Sequence, residues 1–264
     1  MTRFNKPKLS LRYVANSGVC LATRHKKILI NAIHSNNKPP YHSVPAKSIE
    51  EMVLAKEPYN NIDLLLFTHN HEDYFSASLT NEVLKRNKLI QLFGTKDVIE
   101  DIKNEKNHNE LLAPQIRTSE LSKGRSLKMT IREISFEIFN LVHDDVEDKG
   151  YNYDNFAYIF ELNNKIFLYV GNTISAQANF ESSGIFGKYQ IDYMIAPFSF
   201  IGRESGRKTI EKLDPSKIFI SHLPQQKYDA MDWIGNTMKA YDRYKASLPP
   251  VEFMTTLGQE YKLK

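Results

Sequence analysis

One cysteine, Cys20, stands in 264 residues. With no second thiol there can be no intrachain disulfide, which excludes a disulfide-stapled secreted scaffold. Cys20 lies in an apolar stretch and reads as a small buried thiol, in keeping with a reducing compartment. No apolar run reaches the roughly 20 residues that a membrane-spanning helix needs. The N-terminus, Met-Thr-Arg-Phe-Asn-Lys-Pro-Lys, is basic, but no apolar core of an export signal follows it. The expectation is a cytoplasmic chain with no membrane partner. Charge of one sign is also scarce. The 35 Lys and Arg against 31 Asp and Glu leave a net charge of +4. The basic residues are scattered, so a solvated surface accounts for them and nothing in the charge points to nucleic acid. Repeats and low-complexity segments are missing, and no change of composition marks a linker.

What is present is a chain 41% hydrophobic and 11% aromatic, enough for one large core. A single domain over residues 1–264 is expected. Two or three antiparallel strands are predicted over 10–33 from Val14, Val19, Leu21, Ile28 and Ile30, with a turn at His25-Lys26-Lys27. A Pro- and Asn-rich loop over 34–46 places His34 and His42 at the surface. A helix follows from Ser48 to about Glu57, with Ser48 and Glu51 as a capping box. Helices are predicted over 78–87 and 95–106, and a short strand over 89–93. A long β stretch covers 127–142, and a switch of face near Glu133–Ile134 suggests a turn or a bulge. A hairpin turns at Asn163-Asn164. Short strands at 191–196 and 218–221 flank a helix at 207–213. A longer helix spans 225–246, with Met231, Trp233, Met238 and Tyr241 as packing residues. One or two strands close the chain after Val251. The mixture is α+β.

Residues 62–75 form the stretch around which the rest is arranged. Leu64 to Phe67 reads as a strand buried on both faces. It breaks into a polar turn carrying His69, His71 and Asp73. In extended chain, side chains two apart share a face, so His69 and His71 can reach one point. Two imidazoles and a carboxylate suit zinc, iron or manganese. The plainer account is a solvated polar loop after a core strand. Against it stands a regularity: His69, His71, His143, Asn172 and His222 all follow predicted strands. Strand ends on one edge of a layered β protein converge, and ligand sites form there.

These residues resemble a known family. Thr-His69-Asn-His71-Glu-Asp73-Tyr74 is similar to the H-x-H-x-D-H signature of the metallo-β-lactamase fold superfamily. His143, then Val170-Gly171-Asn172, then His222 occur in the family's order, so the resemblance spans nearly the whole chain. Ile191–Pro197, the helix after it and Ile218–His222 look similar to the lactonase-like and ascorbate-6-phosphate lactonase-like branches. The resemblance implies a four-layer αββα sandwich with the site on one edge of two sheets. It implies a first metal site of His69, His71 and His143. The second would draw on Asp73, residue 74, residue 172 and His222. There the chain departs from the pattern. Tyr74 stands for a histidine, Asn172 for the bridging aspartate, and Asn31 for an aspartate found in many members. A neutral amide does not offset two close dications, and a phenol ionises only near pH 10. A weak or empty second site is therefore expected.

Two functions follow. The first is a mononuclear metal-dependent hydrolase with one divalent ion, zinc first and manganese or iron next. It would cut a lactone, ester or phosphodiester of small size by attack of metal-activated water. Asp73 would act as general base, with Tyr74 or His222 stabilising the oxyanion or protonating the leaving group. The alternative is a catalytically degenerate member that serves as a binding or scaffold module. Nucleic-acid processing would call for an inserted basic arm, and none is visible; β-lactam hydrolysis fits poorly without an export signal. Loops 34–46, 144–155 and 198–207 should rim the site with Tyr41, Tyr151, Tyr153, Phe198, Phe200, Arg203 and Arg207. Either arginine could bind a carboxylate or phosphate, or simply sit at the surface.

Overall fold

The computed structural model describes residues 9–35, 39–144 and 153–264. Tyr151 lies outside them. The chain opens as an antiparallel meander of β1 (Leu9–Ala15), β2 (Gly18–Thr23) and β3 (Lys27–Ile30). It continues in parallel through β4 (Leu64–Leu66), β5 (Gln91–Phe93) and β6 (Ile116–Arg117). The second half repeats this plan. Strands β7 (Ser126–Ile131), β8 (Ile134–Val142), β9 (Asp154–Leu162) and β10 (Lys165–Tyr169) are antiparallel. Strands β11 (Tyr193–Pro197), β12 (Lys217–Ser221) and β13 (Val251–Phe253) extend that sheet in parallel. The last strand, β14 (Glu260–Lys262), crosses back to pair with β1. Among the described residues this makes two seven-stranded sheets.

Three buried clusters define four layers. Leu11, Ile30, Phe136, Tyr158 and Phe167 fill the space between the sheets. Met52, Val83 and Ile99 pack the helices Ala46–Val53, Ala77–Arg86 and Lys96–Asn104 onto the outer face of the first sheet. Phe180, Ile201 and Ile210 do the same for Gln177–Ser183, Ser199–Gly202 and Glu204–Leu213 on the second. The predicted αββα sandwich is the observed one. In β4, Leu64 and Leu66 face the inter-sheet core while Leu65 faces the helices. That is why the run is apolar throughout.

Several expectations need correction. The first helix starts at Ala46, capped by Pro45 with no side-chain cap, so Ser48 and Glu51 form no capping box. The predicted 225–246 helix is only Trp233–Tyr244. Asp229 breaks it: its carboxylate accepts from the Trp233 and Ile234 amides at 2.8 and 2.9 Å, closing the N-terminus there. Met231 is 68% and Met238 38% exposed, so neither is a core residue. The helices Gln177–Ser183 and Ser199–Gly202 were not anticipated.

His34 is the largest correction. It was expected at the surface and is fully buried. Neither ring nitrogen makes a well-formed hydrogen bond, although the nearby Ala15 backbone slightly favours the charged form. Burial pushes its pKa from 6.5 down to about 4. As pH falls, the unfolded chain takes up this proton first, so the stability is full above pH 6.5 and is lost as pH falls toward 4. At 1.36 kcal/mol per pH unit, His34 should account for up to about 3 kcal/mol of loss. Urea unfolding of the wild type and His34→Leu at neutral and acid pH measures it. The variant should show the shallower dependence.

Candidate metal centre

The two sheets place their strand ends on one edge, as the βα connections of open sheets do. Four segments meet there: the turn after β4, the end of β8, the turn after β10 and the end of β12. After the bend at Thr68 the chain has no regular structure through His71. It then folds back, with the His71 carbonyl accepting from the Tyr74 and Phe75 amides at 2.9 Å each. His143 follows directly after β8 and bridges to Thr173 in the turn after β10.

His69, His71 and His143 form a near-equilateral set, with ring centroids 4.7, 4.6 and 4.6 Å apart. One nitrogen from each lies within 4.8 Å of the other two. His69 is held from behind. Its Nδ1 is 2.8 Å from Thr68 Oγ1, and that oxygen also accepts from Asn31 Nδ2 at 2.9 Å. The Asn31 amide further donates to Tyr169 Oη at 3.1 Å and accepts from the Thr68 amide at 3.0 Å. Asn31 thus joins the first sheet to the second through neutral bonds. In the tautomer whose Nδ1–H donates to Thr68 Oγ1, His69 Nε2 carries the lone pair. That atom is buried and makes no hydrogen bond. Burial, then the neighbouring imidazoles His143 and His71, hold the His69 pKa well below 6.5. A neutral imidazole with a buried, unbonded nitrogen facing two others fits a divalent ion, as does the all-imidazole donor set.

The remaining expected residues form an adjoining network. Asp73 is outside the histidine cluster. Asn16 donates to its carboxylate at 3.0 Å and to its carbonyl at 2.8 Å. Those two bonds fix the amide, so Asn16 Oδ1 faces His222 Nδ1 at 2.8 Å and accepts its proton. The His222 amide also donates to the Asn16 carbonyl. His222 is thereby set with its Nε2 unprotonated, and burial pushes its pKa down to about 3. Tyr74 Oη lies 3.0 Å from the same Nδ1 and accepts from Ser17 Oγ at 3.2 Å. Burial, then the charge of Asp73, raises the Tyr74 pKa well above 10, so it stays protonated. Asn172 follows Gly171, and its amide donates to Asn155 Oδ1 at 3.1 Å.

Of the expected rim, Tyr153 packs against His71 with centroids 4.8 Å apart. Tyr41 stacks on His222 at 3.9 Å. Phe198 and Arg203 line a cavity with His222 and Asn172. Phe200 is buried in the core instead. Arg207 lies over the Tyr244 ring and donates to the Ile201 carbonyl, which gives it a packing role. Sequence reasoning missed Asn16, Ser17, Thr68 and Asn155. Only the turn signal Asn16-Ser17-Gly18 hinted at the first two.

The family profile described as beta-lactamase superfamily domain matches residues 26–241, most of the chain. The chain belongs to the metallo-β-lactamase fold superfamily. Solved structures superpose along nearly its full length. A possible metal-dependent hydrolase from Veillonella parvula gives a TM-score of 0.65 at 16% identity, over 98% of this chain and 100% of that one. Igni18, a metallo hydrolase from Ignicoccus hospitalis, gives 0.63 at 16%, over 97% and 99%. Zn(2+)-bound PqqB from Methylobacterium extorquens gives 0.55 at 11%, over 93% and 87%. At such identities the likeness to these structures is one of fold. No curated protein matches. Among the described residues no helix is long and apolar enough to cross a membrane.

Proposed function

We propose that this protein is a metal-dependent hydrolase that holds one divalent ion and cuts a small lactone, ester or phosphodiester. The buried His69 Nε2, unbonded and grouped with ligand nitrogens of His71 and His143, carries this reading. Zinc is the first candidate, since neutral imidazoles suit it and PqqB of the same fold is Zn-bound; manganese and iron come next. A divalent ion at the triad supplies activation of water at neutral pH and polarisation of a carbonyl or phosphoryl oxygen.

The chain's own groups do the rest. Thr68 and Asn31 orient His69. Asp73, oriented by Asn16, takes the proton from the attacking water. Tyr74 keeps its proton at neutral pH and offers it as a hydrogen bond to the developing oxyanion. His222 presents an unprotonated Nε2 that orients a substrate hydroxyl or water. A small-molecule substrate is favoured because Asp144 and Arg203, the charged residues lining the cavity beside the triad, pair with each other at 2.8 Å. Among the described residues lining this cavity, that leaves no unpaired cation to hold a nucleic-acid phosphate.

A second ion has no place in this reading. Of its four candidate ligands, Tyr74 keeps its proton and Asn172 brings no charge. Elemental analysis of protein purified without chelator or a polyhistidine tag tests both points. One equivalent of zinc, manganese or iron is expected. Two equivalents would overturn the single-ion reading, and none, even after incubation with each ion, would leave a binding module. The double variant Tyr74→His, Asn172→Asp restores two donors of the family pattern and should take up a second equivalent.

A further inference from the structure

Beside the triad lies a cavity of about 500 Å³, a size that suits a small molecule. The ring of His69 abuts Tyr74 at 4.2 Å, Tyr74 abuts His222 at 5.3 Å, and His222 lines the cavity. Its inner end is therefore at His222, with the Tyr74 ring between it and the triad. Its outer end is Trp233, 37% exposed.

One wall of the cavity is aromatic. Tyr41 and His222 stack at 3.9 Å and 26°. His222 and Phe198 are 6.4 Å apart at 16°, and Phe198 and Trp233 are 5.6 Å apart at 25°. Four rings thus stack with modest tilts from Tyr41 through His222 and Phe198 to Trp233 at the mouth. The opposite lining is polar but uncharged or neutralised. Asn172, Ser199, Asn236 and Thr237 offer amides and hydroxyls, and Arg203 Nη1 donates to Asp144 Oδ1 at 2.8 Å. An anionic guest would have to compete with Asp144 for the Arg203 guanidinium. A flat uncharged guest gains ring contact along the wall and leaves the pair intact.

We infer that this cavity seats an uncharged aryl or heteroaryl group of the substrate, attached next to the bond that is cut. The bond rests on the hydrolase reading; the binding does not. Trp233 is the only tryptophan in the chain, so its fluorescence reports on the seat directly. Acetanilide, which has a flat ring on an uncharged amide, should change this fluorescence saturably in the protein as purified. N-cyclohexylacetamide, of similar size but not flat, should bind about three- to tenfold more weakly, as should acetanilide to Phe198→Leu, which keeps apolar bulk and loses the ring. Circular dichroism checks that this variant folds. para-Acetamidobenzoate should also bind more weakly than acetanilide. No saturable change, equal binding of the cyclohexyl compound, or tighter binding of the benzoate would each overturn the inference. The last would mark an anion site. Because the readout needs neither metal nor turnover, an inactive or metal-free protein would refute the hydrolase reading and leave this result standing.

Discussion

Replacing His71 with alanine is expected to lower metal affinity by more than about 100-fold without unfolding the protein. Residues behind metal ligands are already worth roughly 10–100-fold, and a direct donor out of three is worth more. His71 suits this test better than His69, which is 1% exposed and packs against Tyr74. His71 is half-buried, and its backbone carbonyl holds the turn, so truncating the side chain leaves the bonds to Tyr74 and Phe75 in place. Competition with a chelator of known affinity, beside a thermal melt of the apoprotein, separates the two effects. The apo melting temperature should stay near that of the wild type while metal retention collapses. Near-stoichiometric metal in the purified variant would mean that the three histidines are not the seat.

The second large effect is structural. Gly171 has φ +67°, and a Cβ there would lie 2.4 Å from Asn155 Oδ1 and 2.9 Å from Thr68 Cβ. Left-handed backbone at a non-glycine residue and an overpacked core each cost about 1–3 kcal/mol. Gly171→Ala should therefore destabilise by about 3 kcal/mol or more, lowering the melting temperature by roughly 6–12 °C for a chain of this size. The two neighbours also decide the site. Asn155 holds the Asn172 amide, and Thr68 holds His69 Nδ1. The variant should lose metal affinity along with stability, whereas a substitution at Gly184, where a Cβ meets nothing within 4 Å, should leave metal affinity unchanged. A Gly171→Ala protein that melts and binds metal like the wild type would show that this turn does not support the triad.

The site was legible where it depends on local chain geometry. His69 and His71 share a direction because extended chain alternates side chains, and they stand at the edge because the run Leu64–Phe67 is too apolar to be anything but buried. The hairpins were legible for the same reason. Asn163 and Asn164 both take positive φ, as the asparagine pair suggested, and so do Arg132 and Glu133 at the preceding hairpin. The helix ends were less so, because Asp229 stops the last helix with a side chain four residues before Trp233.

The sequence by itself determined the layered α+β fold and the family. It also placed His69, His71, His143 and His222 after strands, since those strand patterns are local, while the choice of the first three as one set came from the family resemblance. Only the tertiary structure decided how that edge is held. Asn16 lies 57 positions from Asp73 and 206 from His222, yet it fixes both. His34 looks like a residue of a polar loop and is buried because other segments close over it. Trp233 looks like a packing residue and stands at a cavity mouth because Phe198, from a distant turn, occupies its inner face. Alternation and apolar runs are set by neighbours a few bonds away. Burial, hydrogen-bond partners and cavities are set by segments that meet only after the sheets have packed.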